Sequence, residues 1–207
     1  MGRAHFDDAD FLRAARELAI EAGPAAVTVG SVTARLEAPT GSFYHRFPSR
    51  DALVGELWLA SILAFQEGAA AAAQAGDWLN VALHPAAWSR AHLDEACFLL
   101  LYHRDDFIRG EWPDSLKERI AGQARRVESL VGKFAREVLG GAGTDQLTRA
   151  SFALLGAPLA AVRPHLKRRE PPPPLVDELI RATYRALVRA TGKPSRTSAK
   201  GVKTCRA

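Results

Sequence analysis

Cysteine is nearly absent: the 207-residue chain has two, Cys97 inside a helical pattern and Cys205 near the C-terminus. Two isolated thiols make neither a disulfide framework nor a CxxC metal or redox site. Long hydrophobic runs are missing too. The longest aliphatic stretches are broken by Glu67, Asp94 or Arg104, and none approaches the roughly 20 residues that cross a bilayer. The first residues are acidic and polar rather than basic then apolar, unlike a secretory signal, so a cytoplasmic location is expected. Catalytic motifs are likewise lacking: there is no HExxH, no Gly-rich phosphate loop and no nucleophile motif. His92 and His103 could share one helix face, but three turns put them about 16 Å apart, too far to hold one ion. Neither enzymatic activity nor a metal or cofactor is expected. Strand alternation and internal repeats are also missing.

What is present is an ordinary globular composition, 47% hydrophobic and 25% charged, with ample material for a core. The net charge of +5 is unevenly spread. Residues 1–50 hold six Arg against six acids, residues 51–162 hold ten basic and fourteen acidic groups, and residues 163–207 hold twelve basic and three acidic. The basic excess therefore sits in a Ser-, Thr- and Lys-rich tail at 192–207, which reads equally as a non-specific phosphate-attracting arm or as a disordered end.

The most informative stretch runs from Val32 to Leu53. Val32 and Leu36 lie one helical turn apart, and Pro39 disfavours helix at the residue before it, so a turn must follow Leu36. Thr40-Gly41-Ser42 then opens a second helix with small polar side chains, and Phe43 and Phe47, four apart, supply its inward face. Tyr44, His45 and Arg46 are left pointing outward. A slim first turn of hydroxyls on a helix held by an apolar strip suits entry into a major groove. Upstream, Phe11, Leu12, Ala15, Leu18, Ala19 and Ala22 recur at helical spacing behind Asp7, Asp8 and Asp10, any of which could cap, and Gly23-Pro24 stops that helix. Thr28 is a candidate N-cap for the next helix, with Ser31 as a partial capping box, and Ser49 one for the helix after Pro48. Arg50 reads on its own as either a solvated charge or a phosphate clamp.

From Phe11 to Leu53 these residues resemble the N-terminal domain of the TetR family of bacterial transcriptional regulators. The resemblance is carried by Thr28, Val32, Gly41-Ser42-Phe43-Tyr44 and Phe47-Pro48-Ser49-Arg50-Asp51-Ala52-Leu53 in that order and spacing. It implies that Thr40, Gly41, Ser42 and His45 face bases, and that Thr28, Tyr44, Arg46 and Arg50 approach phosphates. Two positions depart from the family: Glu37 stands where Gly is usual in the turn, and Leu36 where Ala is usual. Glu37 would need a left-handed backbone or a reshaped turn, and it puts a negative charge near DNA.

Beyond residue 50 the helices lengthen. One is expected from Ala52 to Ala75, a second from Pro85 to Arg104, a third from an Asp114-Ser115 cap to Leu139, a fourth from Thr144 with a kink or stop at Pro158, and a last from Leu175 to Thr191 after a stiff four-proline spacer. The fold class is therefore all-α: a helix-turn-helix domain at 1–50, a helical domain at 51–191 and the tail at 192–207. In the resembling family such a second half encloses a small-molecule cavity and pairs its last two helices with those of a second copy. This implies an interface at Phe152, Leu155, Gly156, Leu159, Leu179, Thr183 and Leu187, although an intramolecular seam fits the same pattern. A pocket is expected from Trp58, Phe65, Trp88, His92, Phe98, Tyr102, His103, Trp112 and Phe134, each of which taken singly fits plain core packing as well. The expected function is a homodimeric, ligand-responsive repressor on a palindromic double-stranded DNA operator; an activator, or a helical ligand-binding or interaction protein that keeps the fold but has lost specific DNA binding, are the alternatives.

Overall fold

The computed structural model describes residues 6–101 and 112–189, and all their regular structure is helical. Helix α1 (Asp8–Ala22) begins with a reciprocal cap, in which the Asp10 amide donates to Asp7 Oδ1 at 2.9 Å and the Asp7 amide to Asp10 Oδ2 at 3.0 Å. Of the three acids that could cap, Asp7 does so. Gly23, at φ 81°, ends the helix in a conformation a side chain would resist. A single 3-10 turn (Pro24–Ala26) leads to α2 (Val29–Leu36), capped as expected by Thr28 and Ser31 through amide–hydroxyl bonds of 3.0 and 2.9 Å.

The turn after α2 resolves the question of Glu37, which adopts the left-handed conformation (φ 52°, ψ 34°). There it lets the Ala38 amide reach back to the Thr33 carbonyl at 2.9 Å, closing the end of α2. Helix α3 (Thr40–Tyr44) follows at once, and α4 (Arg50–Gln74) is capped by Ser49, which accepts the Ala52 amide at 3.1 Å. Phe11, Ala15, Val32, Phe43 and Phe47 form one core, and Leu53, Val54 and Leu57 of α4 are buried in it. The first two turns of α4 therefore belong to this N-terminal cluster of helices, the head, as much as to the helices that follow, the body. Phe43 is wholly buried with its ring edge-on to Phe11 at 5.8 Å; removing such a side chain costs about 3–5 kcal/mol.

In the body, α5 (Trp78–Ala91) and α6 (Leu93–Leu101) replace the single helix expected from Pro85 to Arg104. Asp77 starts α5 by accepting the Asn80 amide at 3.1 Å, so Pro85 lies inside the helix, and the backbone breaks at His92 (φ −137°, ψ 59°). Arg104 lies outside the described residues. Helix α7 (Asp114–Val138) begins after Pro113 without a side-chain cap. Helix α8 (Thr144–Ser151) runs through a π-helical turn (Phe152–Gly156) into α9 (Ala157–Leu166). Pro158 does not stop the chain, which stays helical across it: the Ala157 amide bonds the Phe152 carbonyl five residues back, a π turn directly before the proline. The last described helix is α10 (Pro174–Arg189). Arg90 fixes it to α5 through Asp177, at 2.8 and 3.0 Å, and through the Pro172 carbonyl at 3.2 Å.

Two close approaches join the helices of the body to α4. A Cβ on Gly55 would come within 2.5 Å of Leu116 and 2.9 Å of Trp112, so only glycine lets α7 lie against α4 there. One on Gly68 would meet the His84 ring at 2.5 Å.

Candidate nucleic-acid interface and body groove

Helix α3 presents its first turn outward because Phe43 and Phe47 bind its other side to the core. Thr40 and Gly41 are exposed, and nothing lies within 4 Å of a Cβ placed on Gly41, so packing does not require glycine there. Ser42 donates its hydroxyl to the Pro39 carbonyl at 2.6 Å, which leaves its oxygen available as an acceptor. The Tyr44 ring leans edge-on against Phe43 (5.3 Å) yet is 57% exposed, with His45 exposed beside it. Thr28 stands exposed at the start of α2. Thr40, Gly41, Ser42, Tyr44 and His45 thus follow one another along α3 and its end, whereas Thr28 lies at the far end of α2 from the α2–α3 corner.

The two arginines assigned to phosphates are placed differently. Arg46 is half-buried and pairs with Asp8 at 2.7 Å, rather than pointing freely outward. Arg50 turns inward: Nε donates to the Val27 carbonyl at 2.8 Å, Nη2 to the Pro24 carbonyl at 2.6 Å and Nη1 to Asp51 at 2.8 Å. Its fork satisfies carbonyls of the α1–α2 connection, a task that a planar guanidinium does well. In this state Arg50 is a tie between α4 and that connection. A further arginine escaped the sequence reading. Arg35 bonds Glu21 at 2.6 and 3.0 Å and Glu17 at 3.1 Å, clamping α2 to α1, and it holds the Glu21 carboxyl below its usual range. Carboxylates one turn apart on α1 opposite a single Arg on α2 were the available sign.

The body contains a groove of about 750 Å³ between α4, α5, α7 and the π-turn. Its floor is apolar, with Leu63, Phe65, Val81, Val127, Leu130 and Leu154, and its polar groups are Gln66, Glu67, His84, Gln123 and Arg126. His84 Nε2 lies 2.6 Å from the Phe65 carbonyl. A carbonyl only accepts, so this nitrogen carries the proton, and burial pushes the imidazole below its ordinary value.

Most of the aromatics expected around a pocket lie elsewhere. Phe65 lines the groove. Phe98 is buried in the core of the head, Phe134 packs between Trp78 and Tyr184, and Trp112 with Leu59 and Leu116 forms a small cluster against which Trp58 packs. Trp88 is buried edge-on to Phe65 at 5.1 Å, and His92 is exposed, its ring tilted against Trp88 at 5.4 Å. Tyr102 and His103 lie outside the described residues. Periodicity shows which aromatics face inward, but not which of two cores, or a cavity, they face. His84, Gln123 and Arg126 were missed because isolated polar residues on long helices carry no pattern.

A second surface is made by α10 and the π-turn. Val176 and Ile180 are buried, whereas Leu175 and Leu179 on α10 are 57% and 54% exposed and Phe152 is 51% exposed. Gly156 is exposed, and the half-buried Leu155, Thr183 and Leu187 lie on the same two elements, with the half-buried Leu159 in the first turn of α9. Leu155 also lines the groove.

Among the described residues, no three His, Cys, Asp or Glu side chains come together as a metal site, and no helix is long and apolar enough to cross a membrane. Burial raises the Cys97 thiol above its ordinary value, favouring the protonated form. No curated protein matches the chain. Residues 11–57, from α1 into the second turn of α4, match the bacterial regulatory proteins of the tetR family. This match identifies the N-terminal domain as that of a tetR-type DNA-binding transcriptional regulator.

Proposed function

We propose, from a tetR-type reading head continuous with a grooved helical body, that the protein is a homodimeric repressor released from a palindromic operator by a small molecule. The observation that carries this reading is α4, whose first turns lie in the core of the head and whose residues 63–67, 69 and 70 wall the groove. One rigid element thus touches both sites. A ligand that moves the groove wall must tilt or strain the head, and a coupling of about 1–3 kcal/mol gives a 5–150-fold switch.

Thr40, Gly41, Ser42 and His45 are the base-facing positions, with Thr28, Tyr44 and Arg46 beside phosphates. Arg50 holds the head in shape and reaches a phosphate only if its carbonyl contacts exchange. The ligand pocket is the groove around Phe65, His84, Gln123 and Arg126, which revises the earlier aromatic set. A second copy is the proposed occupant of the Phe152, Leu175 and Leu179 face: exposed apolar side chains on neighbouring elements mark an interaction surface, and two heads must reach half-sites about 34–36 Å apart.

Selection of bound sequences from a random duplex pool at near-physiological salt, with the full chain and without residues 192–207, tests the proposal. Recovery of an inverted repeat that survives loss of the tail supports it. Recovery of nothing, or only of tail-dependent and salt-sensitive binding, overturns it in favour of a regulator fold used for ligand or partner binding; the Glu37 carboxylate beside α3 and the neutral head are the features on that side.

A further inference from the structure

We propose that Arg169 is the positioning residue that sets the angle of the reading head on the body. It sits just past the end of α9 with φ 56°, one of two non-glycine residues among those described with a positive φ. The Glu170 amide reaches the His165 carbonyl at 3.1 Å and the Arg169 amide the Leu166 carbonyl at 2.9 Å, a helix ending normally built on glycine. Arginine is locally worse than glycine at that position, so its value lies in its side chain.

That side chain crosses to the head. Nη2 donates to the Ile20 carbonyl at 2.8 Å, 149 residues away in sequence, and lies 3.6 Å from Asp94 Oδ1 in the first turn of α6. Ile20 is in the last turn of α1, where carbonyls have no partner within the helix and a positive charge is favoured. Helix α1 has no basic residue of its own in that turn, so Arg169 supplies the cation from the body. Helix α6, held at Asp94, faces both ways: Phe98 enters the core of the head, while the Cys97 thiol donates to the Leu166 carbonyl at 3.5 Å. Arg169 thus joins α1, α6 and the end of α9 at one guanidinium. Beneath it is a recess of about 340 Å³ lined by Ala19, Gly23, Asp94, Cys97 and Leu166. This part of the junction is not filled by side chains, so Arg169 is the polar contact across it, beside the apolar seam that Leu53, Leu57 and Phe98 make with the head.

The inference is tested on the full chain with Arg169→Gly, which relaxes the backbone and deletes the contact, and with Arg169→Lys, which keeps the charge without the fork. Two readouts are taken: amide hydrogen exchange of the last turn of α1, and affinity for the selected duplex with its half-sites moved one base pair closer or further apart. Arg169→Gly is expected to keep a wild-type melting temperature, to speed exchange at residues 20–23 about two- to fivefold, and to flatten the dependence on spacing; Arg169→Lys falls between. Unchanged exchange, or faster exchange with a wild-type spacing profile, overturns the proposal. This second readout rests on the DNA-binding reading. If the wild-type protein selects no duplex, that reading falls while exchange alone decides the role of Arg169.

Discussion

Arg50 Nε and the Val27 carbonyl, 2.8 Å apart, join the first residue of α4 to the link between α1 and α2. With Nη2 on the Pro24 carbonyl at 2.6 Å, the same side chain spans the base of the reading head. The head is therefore fastened to α4 by hydrogen bonds as well as by Leu53 and Leu57. Arg50→Lys, which cannot reproduce the fork, is expected to lower stability by about 1–2 kcal/mol, read as a shift in urea midpoint at unchanged slope. A residue whose task was only to meet a phosphate would leave that midpoint alone and weaken DNA binding.

Glu37 offers the opposite sign. Its left-handed backbone is one that glycine adopts without penalty, so Glu37→Gly is expected to stabilise the protein by about 0.5–1 kcal/mol, since relief of the strained conformation outweighs the freedom glycine adds to the unfolded chain. Removing a carboxylate beside α3 should also tighten DNA binding at low salt, and the gain should shrink as salt rises. A lower melting temperature would show that the Glu37 side chain makes a contact worth more than the strain.

Leu179→Glu addresses the α10 face. Leu179 is 54% exposed in the single chain, so the charge costs the isolated fold little. In a dimer it would meet an apolar surface, and a burial penalty of several kcal/mol would split the pair. Sedimentation at micromolar concentration should give a dimer for the wild type and a monomer of unchanged helicity for the variant. A variant that sediments as the wild type does would move the interface elsewhere.

His84 provides a pH dependence with a fixed sign. Its folded value lies below the unfolded value of about 6.5, so as pH falls the unfolded chain takes up the proton first. The stability held by neutral His84 is complete above about pH 6.5 and is lost below it, as pH approaches the depressed folded value. His84→Gln keeps an N–H donor toward Phe65 without a titrating ring. Its melting temperature should fall less than that of the wild type between pH 7 and pH 5, and parallel slopes would sink the assignment.

The head was legible in the sequence almost residue by residue because its structure is local. Caps at Asp7, Thr28 and Ser49, the stop at Gly23 and the Phe43–Phe47 pair each follow from spacing within a few positions. The body was legible only as helices. Pro85 misled because proline suits a helix start, whereas Asp77 had already capped α5 eight residues earlier. Contacts such as Arg50 to Pro24, Arg169 to Ile20 and His84 to Phe65 depend on which helices become neighbours, and no periodicity encodes that.

The wide turn between α8 and α9 makes chain length a determinant of the exposed face. The five-residue step from Phe152 to Ala157 holds one residue more than an α-helix would use. Deleting a residue within 152–156 would convert the wide turn into a regular helical one with little change in the register of α8 on α9, because five residues here close the turn that four close in an α-helix. The bulge itself would flatten, so the surface beside α10 would be reshaped locally around Phe152 and Gly156 while α8 and α9 keep their faces. A frame-preserving codon loss in this short stretch would thus be absorbed at the exposed face beside α10, with the packing of the two helices and of the head left in register.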